Sequence, residues 1–357
     1  MKNCDSKYFL AANSCEGFLS FFGSCYNPKD NWRCYIIKGG PGTGKSSFMK
    51  KIAKYAASKN EKYILCPCSS DPQSLDAVIL PNKKTVILDG TAPHTIDPIY
   101  PAVCEEILNF GQFWDSSKIG KNNQIIDITD QNKALHRSVS KYLNAAGQIM
   151  LDSYKIALSY TKKLEVKSFA DKLIKKHIPH KNGTPYEWVR FIEGITPEGI
   201  ISYPETVTEQ CENIIVISDK YRACSNIIMN EIRSFCLING YEIITLKNPF
   251  LPSVITDHII IPELSIAFVT EDNNLLFATP ARRIHSRRFT SNKQLHNSAC
   301  RLKLNRKIIN SLITTATQTL SEAKAVHDKL EKQYISLMNY SELEAYTNNF
   351  CKMLYEE

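Results

Sequence analysis

A group of glycines followed by a lysine and a serine has the spacing that phosphate chemistry requires. The stretch consists of Gly39, Gly40, Pro41, Gly42, Thr43, Gly44, Lys45 and Ser46, followed by Ser47. Glycines let successive backbone N–H groups turn toward phosphate oxygens, where other side chains would obstruct them. Lys45 supplies positive charge for β- and γ-phosphates, and the Ser46 hydroxyl is placed to ligate Mg²⁺. The sequence therefore predicts that residues 39–47 bind a nucleoside triphosphate, with ATP and Mg²⁺ as the expected ligands.

The sequence around this motif supplies the local structure that it needs. The hydrophobic run 34–37 leads into the glycines and predicts a strand, and residues 46–58 have the pattern of a helix. A strand, a loop and a helix in this order are the context in which the motif holds phosphate. The N-terminus of such a helix adds free N–H groups and a partial positive charge.

A second candidate for the same site is an aspartate at the end of a later strand. Residues 85–89 form a buried-strand pattern that ends in Asp89, some 40 residues after the glycines. An aspartate in this position can hold Mg²⁺ through water, opposite Ser46. The next residue is Gly90, so the glutamate that often follows and polarises water in strongly hydrolytic ATPases is missing.

Three further side chains follow predicted strands and complete the catalytic candidates. Asp71 follows the second strand of the pattern, and His94 and Asp97 follow the strand that ends in Asp89. Each could orient water or accept a proton. A helix cap or a turn is the structural alternative, especially for Asp71, which precedes a proline. The predicted catalytic set is therefore Lys45, Asp89, Asp71 and His94.

The chain contains two related halves. Residues 8–21 resemble residues 190–203 at a separation of 182, and residues 33–38 and 48–59 resemble 213–218 and 228–239 at a separation of 180. Similarity in one order with little drift indicates a tandem duplication. We therefore predict a first module at residues 1–180 and a second module at residues 185–357.

The second module lacks the residues that would bind phosphate. At the position of the glycines it has residues 219–226, in which no glycine remains. Ser225 replaces the lysine, and Asp219 would repel phosphate. The patterns predict an α/β fold of two tandem P-loop NTPase-like modules with mainly parallel sheets, the second degenerate. Helical patterns at 132–176 and 301–355 predict a helical appendage after each sheet.

Composition places the chain among ordinary globular proteins. Lysine and arginine number 44 against 36 acidic residues, and hydrophobic residues make up 43%. No apolar stretch approaches the ~20 residues of a membrane span, and the apolar run 8–12 is too short for a signal peptide. Twelve cysteines are scattered almost singly, which is typical of reduced thiols. We expect a cytoplasmic protein without membrane contact.

The strongest basic cluster lies in the second module, at Arg282, Arg283, Arg287 and Arg288. Three interpretations stay open at this point. The cluster is a solvated charged loop, a contact for a protein partner, nucleic acid or another polyanion, or the source of an arginine finger for the nucleotide of the first module.

Several strings together resemble a family of uncharacterised bacterial tandem P-loop ATPase-like proteins. These strings are YFLAANSCEGFLSF, KGGPGTGKSS, CSSDPQSLDAVILP, ILDGTAPHTIDPIYP, ITPEG at 195–199 and HDKLE at 327–331. The resemblance covers nearly the full chain and implies two P-loop folds with ATP or another nucleoside triphosphate as ligand. Members of that family often keep a recognisable second loop, from which the degenerate 219–226 departs.

These features favour an ATP-binding protein with slow or partner-regulated, Mg²⁺-dependent hydrolysis. One alternative is a P-loop small-molecule kinase, with Asp71 as the base and helices within 132–178 as a lid. Another is a nucleotide-gated binding protein for nucleic acid or a protein partner.

Overall fold

Two six-stranded sheets with flanking helices form the protein in the computed structural model, which describes residues 6–92, 95–115, 117, 123–272, 275–277 and 282–356. The elements of the first half are β1 (Ser6–Lys7), β2 (Ala11–Ser14), β3 (Gly17–Ser20), β4 (Arg33–Lys38), α1 (Lys45–Ser58), β5 (Ile64–Pro67), β6 (Leu75–Leu80), β7 (Thr85–Asp89), β8 (Glu105–Asn109), α2 (Asn123–Ser159) and α3 (Lys163–His177). Those of the second half are β9 (Tyr186–Arg190), β10 (Glu193–Thr196), β11 (Gly199–Ser202), α4 (Pro204–Gln210), β12 (Asn213–Ser218), α5 (Ala223–Ile238), β13 (Glu242–Lys247), β14 (Thr256–Ile261), β15 (Ile266–Glu271), β16 (Arg282–His285), α6 (Asn292–Asn297), α7 (Ala299–Ile335) and α8 (Tyr340–Glu356). Short 3-10 helices lie at Phe22–Ser24, Phe110–Phe113, Pro262–Leu264 and Ser286–Arg288.

The first sheet has the strand order β1-β5-β6-β7-β4-β8. Strand β4 lies inside it because its apolar residues are buried on both faces. Cys34 and Ile36 belong to one core cluster, whereas Tyr35 and Ile37 belong to another. Strands β7 and β8 run parallel to β4 on its two sides, β1 runs parallel to β5, and β6 is antiparallel to both of its neighbours. The predicted α/β class with mainly parallel sheets is confirmed at this level.

The second sheet repeats this arrangement. Its order is β9-β13-β14-β15-β12-β16, with the same parallel and antiparallel pairs at corresponding places. The helices that pack on the two sheets also correspond. Phe48 and Ile52 are buried on α1, and the residues 180 positions later, Ile228 and Ile232, are buried on α5. The two halves of the chain therefore share one topology.

The two halves meet through contacts that are nearly symmetric. Phe9 and Phe191 donate backbone hydrogen bonds to each other's carbonyl oxygen, both at 2.9 Å. The Phe9 ring also stacks on Tyr203, with centroids 5.3 Å apart, and the Phe191 ring lies 4.9 Å from Phe21. Because Phe9 corresponds to Phe191 and Phe21 to Tyr203, these pairs are related by a local twofold arrangement.

The terminal helix of each half packs against the sheet helix of the other half. Val166 and Leu173 of α3 lie in a core cluster with Ile228 of α5. Phe350 of α8 lies 5.1 Å from Phe48 of α1, measured between ring centroids. The long helices α2 and α7 pack along each other between these ends. Packing thus exchanges helices between the parts of the chain that lie before and after the predicted boundary near residue 180.

Within the described residues, no helix is both long and apolar enough to cross a bilayer. The eleven described cysteines are all free, and every one except Cys300 is buried. Burial raises the pKa of the Cys66 and Cys68 thiols, so the close pair Cys66-Pro67-Cys68 lies in an environment that favours neutral thiols.

Candidate functional site

The glycine loop, residues 39–46, connects β4 to α1 at the carboxyl end of the first sheet. Gly42 and Gly44 have φ angles of +70° and +80°, in the left-handed region that favours glycine. Gly44 immediately precedes α1 and has no side chain with which to cap it. The first N–H groups of α1 therefore lack a capping side chain from this position, which is how helix N-termini are left open for anions.

Lys45 and Asp89, which the sequence assigns to one site, lie together in the fold. Asp89 pairs with Ile37 in the parallel register of β7 and β4, so it ends beside the loop. Nζ of Lys45 lies 3.6 Å from Oδ2 of Asp89, and both side chains are largely buried. The same ammonium group donates to the carbonyl oxygens of Gly39 at 3.2 Å and Gly40 at 2.8 Å. The positive charge is thus held at the glycine loop.

The hydroxyl side chains of the loop and of the start of α1 have different environments. Thr43 is buried and donates to the carbonyl oxygen of Gly40 at 2.9 Å, which closes the loop on itself. Ser46 Oγ accepts a hydrogen bond of 3.0 Å from the backbone N–H of Leu75 at the start of β6. Ser47 lies in the first turn of α1 and is exposed.

Ser46 and Asp89 each carry an oxygen of the kind that Mg²⁺ prefers. Oδ1 of Asp89 accepts hydrogen bonds from the backbone N–H (2.9 Å) and the hydroxyl of Thr91, which fixes the carboxylate, while Oδ2 faces Lys45. Ser46 Oγ accepts one hydrogen bond and retains a second lone pair. Hard oxygen donors of this kind, supplemented by water and phosphate, are what Mg²⁺ prefers.

Asp71 and Asp97, which follow the predicted strands, are less directly connected to the loop. Asp71 accepts a hydrogen bond of 2.7 Å from Ser74 Oγ and lies 3.5 Å from Nζ of Lys324, a residue of α7. Asp97 is exposed and pairs with Lys38 at 2.8 Å. His94 lies outside the described residues.

Helices α7 and α8 of the second half contact the glycine loop, which the sequence did not indicate. The hydroxyl of Tyr340 donates to the carbonyl oxygen of Gly42 at 2.7 Å. A Cβ atom on Gly42 would lie 2.9 Å from the carbonyl oxygen of Glu331, and one on Gly44 would lie 2.8 Å from the Leu343 side chain. The loop glycines are therefore required by the packing of these helices as well as by backbone conformation.

An indole ring lies against the other end of the loop. A Cβ atom on Gly40 would lie 2.9 Å from the ring of Trp114, which stacks on Tyr334 of α7 with centroids 5.5 Å apart. Trp114 Nε1 is buried and has no hydrogen-bond partner in the described part of the chain. A spare donor thus lies beside the loop. Neither aromatic residue belongs to a motif, and only the HDKLE string at 327–331 marks this part of α7 in the sequence.

No known protein family, curated protein or solved structure matches this chain. The resemblance to tandem P-loop ATPase-like proteins therefore stays a hypothesis that rests on the motifs.

The second loop, residues 219–226, is blocked by its own carboxylate. Oδ2 of Asp219 accepts hydrogen bonds from the backbone N–H groups of Cys224 (2.7 Å) and Ser225 (2.9 Å), and Oδ1 accepts from Tyr221 at 3.3 Å. Asp219 is 4% exposed. A buried carboxylate at the start of α5 thus satisfies the N–H groups that a phosphate would need.

The start of α5 also differs from the start of α1. Helix α5 begins at Ala223, whereas the counterpart of the first residue of α1 is Ser225, so two residues that correspond to the glycine loop are helical in the second half. Arg222 precedes α5 with a φ angle of +60° and is anchored by Asp257 at 2.8 Å and Asp272 at 2.9 Å. These ion pairs hold a non-glycine residue in the left-handed region.

The arginine cluster is not the loop that the sequence predicted. Residues 282–285 form edge strand β16 of the second sheet, and 286–288 form a 3-10 turn. Arg283 lies 3.1 Å from Glu271 and donates to the carbonyl oxygen of Phe277 at 2.8 Å. Arg288 stacks over Phe169 of α3 at 5.3 Å. Three of the four residues of β16 are exposed and only Ile284 is buried, which is typical of a loop, but pairing with β12 makes this segment a strand.

Proposed function

We propose that the chain binds a nucleoside triphosphate, with ATP as the first candidate, at residues 39–47 and hydrolyses it slowly with Mg²⁺. One observation supports this most: left-handed Gly42 and Gly44 precede an uncapped helix, with Lys45 and Asp89 3.6 Å apart beside them. Glycine conformation, an open helix N-terminus, a cation and a metal-binding carboxylate are the parts that a triphosphate site needs. The unpartnered indole N–H of Trp114 adds a further donor at the loop.

Each residue has a distinct part in this proposal. Lys45 neutralises charge on the β- and γ-phosphates, and Ser46 and Asp89 hold Mg²⁺. When bound, Mg²⁺ screens the phosphate oxygens and stabilises the charge that develops during phosphoryl transfer. Gly90 follows Asp89, so this position provides no carboxylate to polarise water. We therefore expect a low basal rate, which a partner could raise by supplying the missing group.

The packing of the helices that follow the first sheet favours hydrolysis over the kinase alternative. Asp71 itself does not decide between the two. Its Oδ2 accepts a hydrogen bond from Ser74 at 2.7 Å, whereas Oδ1 lies 3.5 Å from Nζ of Lys324 and accepts no hydrogen bond from the described residues. An oxygen of this kind meets one requirement for a general base. Residues 123–177 form α2 and α3, which pack on α7 and on α5 of the second half. These contacts occupy the faces that a lid would need to free.

The central test compares two lysines of α1. Lys45→Ala should weaken Mg²⁺-ATP binding by about 10- to 100-fold, because it removes charge-assisted contacts of about 1.5–3 kcal/mol. Lys54→Ala is the matched control, since Lys54 is an exposed residue of the same helix. Titration calorimetry measures both affinities, and circular dichroism checks that both variants are folded. An affinity of Lys45→Ala within twofold of the wild type would exclude the proposed site.

A further inference from the structure

A cavity of about 360 Å³ lies beside the second loop. Its lining residues are Lys220 and Tyr221 of that loop, Leu295 and His296 of α6, and Ala299, Leu302, Lys303 and Arg306 of α7. Lys220 is the second residue after the end of β12. This strand has parallel neighbours on both sides. The cavity therefore lies where α/β proteins hold their ligands, outside the carboxyl ends of parallel strands.

The charged residues of the lining all have the same sign. Lys220, Lys303 and Arg306 are cationic at neutral pH, and the lining includes no aspartate or glutamate. None of the three makes an ion pair with any residue in the described ranges. Arg301, slightly earlier on α7, pairs with Asp152 at 2.5 Å. All three side chains are exposed, so water and salt screen their mutual repulsion, and a bound anion would supply a direct counter-charge.

An anion in this cavity would be held by side chains and not by the second loop. Asp219 already accepts the N–H groups at the start of α5. Lys303 and Arg306 are three positions apart on α7, which places them on one face of the helix. A guanidinium group and an ammonium group on one face suit a phosphate, because arginine can donate two parallel hydrogen bonds to it.

The rest of the lining is apolar or aromatic. Tyr221, Leu295 and Leu302 contribute a ring and two aliphatic side chains. A volume of about 360 Å³ lies at the lower end of the range for small-molecule pockets. Such a lining suits a compact ligand that has a charged end and a planar or apolar body.

We propose that this cationic cavity is a second ligand site, which binds a small organic phosphate at the second loop. The ligand's phosphate contacts Lys220, Lys303 and Arg306, and its body packs against Tyr221 and Leu302. The second module has lost a backbone cradle at its loop and has a side-chain site next to it.

Titration calorimetry with AMP and ribose 5-phosphate tests this site on the full chain. The double variant K303Q/R306Q should lower the affinity at least about tenfold, because two charge-assisted contacts are lost. K307Q is the control: it removes one charge from an exposed residue of α7 that is not in the lining and should leave binding within twofold. Lys45→Ala should also leave binding within twofold, which separates this site from the glycine loop.

Five results would overturn the proposal. The first four are the absence of binding by both probes, equal affinities of the wild type and K303Q/R306Q, loss of binding in Lys45→Ala, and inorganic phosphate binding as tightly as AMP. Binding of a single-stranded oligonucleotide without binding of either small phosphate would also overturn it, because the cavity would then belong to a nucleic-acid surface.

Discussion

The Asp219 carboxylate occupies the position in the second loop where an anion would bind. Removing it measures how much the hydrogen bonds that it accepts contribute to the free energy of unfolding. Oδ2 accepts two buried N–H groups at 2.7 and 2.9 Å, and Oδ1 accepts a weaker hydrogen bond at 3.3 Å. Hydrogen bonds to a charged group are worth about 1.5–3 kcal/mol each. Counting only the two short ones, and allowing water to recover part of the loss, we expect Asp219→Ala to lower the free energy of unfolding by about 3 kcal/mol.

Urea denaturation of the full chain measures this change. Asp219→Asn keeps one acceptor oxygen but loses the charge, so we expect an intermediate loss of about 1–2 kcal/mol. Asp171→Ala removes an exposed carboxylate of α3 and should change stability by about 0.5 kcal/mol or less. The dependence on urea should have the same slope in all variants if the same surface is exposed on unfolding. A loss below about 1 kcal/mol in Asp219→Ala would show that the carboxylate does not support the loop.

Three further predictions concern other parts of the molecule. Asp89→Asn should retain most of the ATP affinity but lower Mg²⁺-dependent turnover by about 100-fold or more in a phosphate-release assay, and normal turnover would remove Asp89 from the metal site. Phe350→Ala should destabilise the chain by about 3–5 kcal/mol in urea, because a buried aromatic side chain is lost from the contact with α1, whereas Met353→Ala on the exposed face of α8 should cost under about 1 kcal/mol. Burial raises the pKa of Glu193 from 4.5 to about 7, because desolvation disfavours the charged carboxylate. The folded protein therefore holds this proton more tightly than the unfolded chain does. The stability that this provides is fully present below pH 4.5 and is lost as the pH rises through 7. As the pH rises from 4.5 to 8, the free energy of unfolding of Glu193→Gln should therefore increase by about 3 kcal/mol relative to that of the wild type. If the unfolding free energies of the two proteins changed in parallel with pH, burial of Glu193 would not be the cause.

Local sequence patterns predicted those parts of the site that depend on neighbouring residues. The glycines and the apolar run before them fix a strand, a loop and a helix, and an apolar strand ending in Asp89 brings that carboxylate beside Lys45. The duplicated pattern also placed α1 and α5 at corresponding positions on their sheets.

The parts that were missed depend on residues far apart in the chain. Tyr340 contacts Gly42 across 298 positions, and no local pattern encodes such a contact. Asp219 was expected to repel phosphate, but its position as an acceptor for the start of α5 became apparent only from the backbone geometry. The many arginines of β16 are typical of a loop. This segment is a strand because it pairs with β12, a contact that the local sequence does not indicate.

The exchange of terminal helices has a consequence for how the protein is made. Phe48 of α1 is buried against Phe350 of α8, which emerges from the ribosome about 300 residues later. At about 5–20 residues per second, that interval lasts about 15–60 s. During this time the part of α1 that contacts α8 lacks its native partner, and exposed apolar surface of this kind is prone to aggregation. The half of the chain that is synthesised first is thus the half that is completed last.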